Sequence, residues 1–134
     1  MVKINFYLFV FCVFFVIFKT CSIFLTNFDL FGDEAQYWVW SKNLDLGYFS
    51  KPPLLAWLIS AFSFLTGDSF EMLKLLPVLT YIFTSYAVYL LYKKLYQNKK
   101  EAILAGFSFF LMPAVSISSF LISTDVILIF FWTI

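Results

Sequence analysis

The stretch Ile4–Leu25, INFYLFVFCVFFVIFKTCSIFL, decides the fold class. It is nearly all Phe, Val, Ile and Leu, interrupted by Lys19, Thr20, Ser22 and two cysteines. At about 1.5 Å per helical residue it crosses the roughly 30 Å hydrocarbon core of a bilayer. This is a first transmembrane helix, with Lys19 near its far end, where the long stem is expected to snorkel toward the headgroups. A signal peptide would share the pattern of Lys3 followed by apolar Ile4–Phe18. Residues Lys19 to Ile23 offer no small-x-small cleavage site, so an uncleaved span is expected.

The rest of the composition agrees. The 134 residues are 63% hydrophobic, 24% aromatic and 13% charged, against about 45–50% apolar and about 25% charged in soluble domains. So few polar side chains cannot cover a water-exposed surface without large apolar patches. A formal net charge of +1 lacks the concentrated basic face that nucleic acid requires. There is no histidine, and all nine basic residues are lysines, which excludes a histidine triad or histidine-ligated zinc within the chain. Cys12 and Cys21, nine positions apart on one helix, are too distant to bridge and read as packing residues.

Outward from the first span, Asn27 to Pro53 is the polar part of the chain, an external loop reaching to about residue 69. Asp33 and Gln36 form an N-cap and N3 pair, and Tyr37, Trp40 and Leu44 recur at helical spacing until Gly47 supplies a stop. A short amphipathic helix carrying two tryptophans suits the membrane–water interface. Pro52-Pro53 opens Leu54–Leu65, too short to span, which reads as a second interfacial or re-entrant helix.

Phe70–Tyr92 makes a second span with Glu71 and Lys74 in its first turn, and the lysine-rich loop 93–100 after it is cytoplasmic by the positive-inside rule. Ala102–Ile122 makes a third span with a kink at Pro113, and Val126–Ile134 begins a fourth. Nine residues cannot cross a bilayer, so the sequence reads as an incomplete piece of a larger protein, inactive alone. The expected fold is therefore all-α and polytopic, three full spans plus the start of a fourth with short interfacial helices in the first external loop. This topology puts Asp33, Glu34, Lys51 and Asp125 on the external, periplasmic side of a plasma membrane.

The segment GDEAQYWVWS at Gly32–Ser41, then LGYFSKPPL at Leu46–Leu54, resembles the first external loop of the GT-C glycosyltransferases. The likeness is to bacterial relatives of the protein O-mannosyltransferases and of the lipid A aminoarabinose transferases. STDVILIFFW at Ser123–Trp132 is similar to those families' T-P-D-x-x-L-x-F-F-W stretch, with Thr124-Asp125 kept and the intervening proline absent. The resemblance implies an inverting sugar transfer from a polyprenyl-phosphate-linked donor to a lipid, protein or glycan acceptor, with membrane lipids as surroundings. Such a reaction needs a carboxylate within hydrogen-bond reach of the acceptor hydroxyl, and Asp33 is the candidate base.

Glu34, about 100° around the helix, is a candidate to orient the acceptor, a divalent metal ion or a neighbouring loop. Asp125 is a candidate to complete an acidic cluster that binds substrate, and Lys51 a candidate partner for the donor phosphate. Each has a plainer reading beside it. Asp33 is also an N-cap, and Glu34 a first-turn residue favoured by the helix dipole. Asp125 also serves Thr124 in capping the fourth span, Lys51 also snorkels, and Trp38, Trp40 and Trp57 are also interface anchors. A non-enzymatic membrane subunit, or an inactive truncated gene product, is the alternative to an enzyme. An ion-conducting subunit would carry its acids inside the hydrocarbon region, whereas here they cluster on the loop and at helix ends.

Overall fold

The computed structural model describes residues 2–26 and 29–134, with side chains described at 10, 12–26 and 29–134. The expectations placed on the Lys3 side chain and on Asn27 lie outside these. The described residues form helices and no strand: α1 (Val2–Thr26), α2 (Gly32–Lys42), α3 (Leu54–Thr66), α4 (Phe70–Leu73), α5 (Leu75–Tyr96), α6 (Lys99–Leu111), α7 (Pro113–Ser118) and α8 (Thr124–Thr133). Among them, Phe70–Tyr96, counting α4 and α5 as one run of 27 residues with mean hydropathy 1.5, is long and apolar enough to cross a membrane. Cys12–Thr26, Leu54–Thr66 and Thr124–Thr133 are shorter apolar helices.

Several boundaries differ from the sequence reading, each for a local reason. The helix expected to stop at Tyr92 continues to Tyr96, so Lys93 and Lys94 lie in its last turn, where cations complement the helix dipole. Gln97 then takes the left-handed conformation (φ 55°) and its N–H bonds Lys93 O at 3.0 Å. Asn98 caps α6 by accepting from Lys100 N at 3.2 Å. The expected loop 93–100 is thus a tight turn at Gln97-Asn98. At Pro113 the helix breaks rather than kinks. Met112 is extended (φ −57°, ψ 133°), as the residue before a proline prefers, and Pro113 starts α7 at a position that needs no N–H partner. Pro77 is tolerated near the start of α5 for the same reason.

Helices α5 and α6 approach closely. Ser85 Oγ donates to Gly106 O at 2.7 Å, and a Cβ on Gly106 would lie 3.0 Å from Ser85 O. Small residues at such a contact let two backbones meet where solvent supplies no hydrophobic drive. Two apolar clusters hold the remainder. Tyr37, Leu55, Ile59, Leu73, Ile122 and Ile127 join α2, α3 and α4 to α8 and the segment before it. Tyr81, Phe110, Val115 and Val126 join α5, α6, α7 and α8, with Phe15 and Val16 of α1 packed against them. Phe14, Ile17 and Phe18 of α1, Phe83 of α5 and Leu104 of α6 face outward, an apolar exterior suited to lipid.

Candidate functional site

Helix α2 begins earlier than its sequence pattern indicates. Its N-cap is Phe31, in extended conformation (φ −67°, ψ 164°), which makes Gly32 the first helical residue, Asp33 the second and Glu34 the third. Phe31 has no side-chain acceptor, so the helix start is held by Glu34 alone, whose Oε2 accepts from Phe31 N at 2.8 Å. This corrects the reading of Asp33 as the cap. The correction has a tertiary cause. Glu34 is 2% exposed, its Oε1 accepts from Ile122 N at 2.7 Å, and Lys74 Nζ lies 3.4 Å from Oε2. Lys74, itself buried, also sits over the Phe31 ring at 5.1 Å. Glu34 therefore ties together the start of α2, the α4–α5 junction and the strap between α7 and α8.

With Glu34 turned inward, its neighbour Asp33 is left exposed in the first turn of α2. The same geometry recurs on α8. Its N-cap is Ser123 (φ −140°, ψ 160°), with no side-chain cap hydrogen bond, so neither Thr124 nor Asp125 caps the helix as expected. Asp125 is its second helical residue and is exposed. The Glu34–Ile122 bond brings the N-terminal ends of α2 and α8 together, since Ile122 precedes Asp125 by three positions. Both carboxylates thus occupy the positive end of a helix dipole, a setting suited to negative charge. Neither makes a hydrogen bond or ion pair with a described residue. Lys51 is half-buried on the loop between α2 and α3 and is not drawn into the Glu34 cluster by any hydrogen bond or ion pair.

Among the described residues no three His, Cys, Asp or Glu side chains gather closely enough to hold a metal ion. Both Glu34 oxygens are engaged, by Phe31 N, Ile122 N and Lys74.

The loop after α2 is shaped by its aromatics. The helix ends at Lys42 with Asn43 as C-cap, short of the stop expected at Gly47. Tyr48 stacks on Trp40 with ring centroids 4.7 Å apart, and its hydroxyl bonds the Trp40 and Asn43 carbonyls at 3.0 Å each. Trp57 Nε1 donates to Asp45 O at 3.0 Å. Trp38 packs edge-on against Phe70 and lies beneath Lys42. At this end of α2, a cleft of about 400 Å³ is lined by Ser41, Lys42, Ser60, Ser63 and Asp68. Lys42 pairs with Asp68 across it and holds the Asp68 carboxyl below its usual range.

Two lysines depart from what their sequence positions suggest. Lys74, by pattern an ordinary first-turn residue of the second span, is buried against Glu34. Lys19 does not snorkel. It is 2% exposed and its ammonium bonds Ser116 O at 2.5 Å and the Ser119 hydroxyl, with Phe15 and Phe120 rings at 5.0 and 4.9 Å. The available signal is that an ionisable residue within an apolar run seeks a buried partner by default.

The sequence profile described as dolichyl-phosphate-mannose-protein mannosyltransferase matches residues 50–134. The chain belongs to that family. Over 118 residues it is 40% identical to the lipid A galacturonosyltransferase RgtD of Rhizobium johnstonii, an alignment covering 85% of this chain and 25% of that protein. The chain thus spans about a quarter of the length of the curated relative it matches. No solved structure matches it. These findings support the GT-C resemblance. The family match includes Ser123–Trp132 and Lys51, while Gly32–Ser41, with Asp33 and Glu34, precedes it. The chain is accordingly part of a membrane glycosyltransferase family, and its α2–α8 face is the candidate site.

Proposed function

We propose that this chain forms part of an inner-membrane enzyme that transfers a sugar from a polyprenyl-phosphate carrier to an envelope acceptor with inversion. In this reading α1, the α4–α5 run and α6–α7 are three spans, α8 begins a fourth, and the α2 face lies on the periplasmic side, opposite the Lys93–Lys100 turn. A dolichyl-phosphate sugar donor in the family's description and a lipid A acceptor in the relative's name support the two substrate classes. The observation that carries the proposal is the division between adjacent carboxylates: Glu34 is buried and bonded on both oxygens, while Asp33 is exposed beside the start of α8.

Asp33 takes the proton of the acceptor hydroxyl as its oxygen attacks the anomeric carbon. The new C–O bond forms as the bond from that carbon to the phosphate oxygen breaks, and the electron pair leaves on polyprenyl phosphate. Lys51 meets the donor phosphate as a point charge, and Asp125 binds sugar or acceptor hydroxyls beside Asp33. Because the chain covers a quarter of its relative, residues 1–134 alone are expected to be inactive.

The test is Asp33→Asn in the natural polypeptide that contains residues 1–134, assayed for sugar transfer from a polyprenyl-phosphate donor. Loss of a general base predicts a fall in kcat of about 10²–10⁴-fold at unchanged folded yield. Turnover equal to wild type rejects Asp33 as the base.

A further inference from the structure

We infer that Lys19 is a positioning residue for the candidate site, acting through the strap between α7 and α8; this rests on the glycosyltransferase reading above. The break at Pro113 leaves α7 only six residues long, and residues 119–123 must then cross to α8 without regular structure to fix them. A short helix ends in carbonyls without intrahelical partners. Lys19 supplies one from α1: its ammonium donates to Ser116 O at 2.5 Å and to the Ser119 hydroxyl. Ser119 Oγ itself donates to Ser116 O at 2.7 Å, so the three groups close a buried ring, with Ser119 1% exposed.

An ammonium costs too much in a water-poor interior to be held there by packing alone. The faces of Phe15 and Phe120 sheathe it on two sides. The far end of the same strap is held by Glu34 at Ile122 N. Only Phe120 and Leu121 separate the two grips, one cationic from α1 and one anionic from α2. Asp125 follows directly, in the first turn of α8. Lys19 thus governs where α8 starts relative to α2, without itself touching substrate. Displacing a site group by about 1 Å costs on the order of 10²-fold in rate, so the lock acts on kcat.

The experiment compares Lys19→Met, Ser119→Ala and the double variant in the natural polypeptide, in nanodiscs, with Asp33→Asn as reference. Lys19→Met keeps the stem and removes the donors; a fall in kcat of about 10- to 100-fold is expected, with donor KM changed less than about twofold. Ser119→Ala should give a smaller fall, and the double variant should be no worse than Lys19→Met. A second readout needs no activity. With Cys12 and Cys21 replaced by Ala, Asp125→Cys should react with a membrane-impermeant maleimide several-fold faster once Lys19 is Met. Lys19→Met with wild-type kcat, or additive losses in the double variant, overturns the inference. If Lys19→Met does not fold, Ser119→Ala decides: wild-type kcat together with wild-type labelling at 125 overturns it. An inactive wild type rejects the glycosyltransferase reading instead, whereas an Asp33→Asn variant at full turnover rejects only Asp33 as the base and leaves the comparison of Lys19 variants valid. With an inactive wild type, faster labelling at 125 still supports the lock, and an unchanged labelling rate overturns it.

Discussion

Asp33 and Glu34 are neighbours of the same chemical type, and the structure gives them opposite stability roles. Replacing Glu34 by Ala removes the acceptor for two backbone N–H groups, Phe31 at 2.8 Å and Ile122 at 2.7 Å. It also removes the ion-pair partner of Lys74, whose side chain is 4% exposed. Hydrogen bonds to a charged acceptor contribute about 1.5–3 kcal/mol each. Breaking a buried ion pair from one side costs about 3–5 kcal/mol. These contributions overlap, because relaxation that rehydrates Lys74 also rehydrates the freed N–H groups, so about 4 kcal/mol is expected for Glu34→Ala. Glu34→Gln keeps a carbonyl acceptor while losing the charge, and about 2 kcal/mol is expected. Asp33→Ala removes an exposed side chain with no hydrogen bond or ion pair to a described residue and should stay within about 0.5 kcal/mol.

The assay is reversible unfolding by SDS titration in mixed micelles, followed by tryptophan fluorescence. Because the pair is buried, the Glu34 penalty should change little between low and high salt. A Lys74→Met/Glu34→Gln double variant should cost less than the sum of its parts, since each single change breaks the same ion pair. If Glu34→Ala and Asp33→Ala unfold within about 1 kcal/mol of each other, the buried latch is refuted.

Gly106→Val should separate α5 from α6, because even a Cβ would lie 3.0 Å from Ser85 O; a loss of about 1–3 kcal/mol is expected, read in the same titration. The Lys42–Asp68 pair should contribute its stability fully above the ordinary carboxylate pKa. Since Lys42 lowers the folded value, that contribution is lost only as pH falls through the lowered value. Asp68→Asn should therefore flatten only the acid end of a stability-versus-pH profile. As both partners are solvent-accessible, the effect should shrink in high salt, unlike that of Glu34.

The helical class was legible in the sequence because it depends on local quantities. Runs such as Leu75–Leu91 are apolar over lengths that leave a lipid-embedded backbone no option but internal hydrogen bonding. The helix ends at Asn98 and Pro113, which the sequence reading takes as loop and kink, follow from capping chemistry and a missing N–H acting within a few residues. The family too was legible, from Ser123–Trp132 together with the loop segments.

What the sequence could not assign was the work of individual charges. Asp33 and Glu34 are equally good first-turn residues locally. Only Ile122 and Lys74 decide that Glu34 turns inward, sets the N-cap at Phe31 and leaves Asp33 outside. Lys19 in isolation looks like a headgroup anchor, yet its partners are Ser116 and Ser119, 97 and 100 positions away. The sequence determined that this chain is a set of apolar helices carrying a few charges. The tertiary structure alone decided which of those charges are buried, because burying one is tolerable only where distant chain segments deliver its partners.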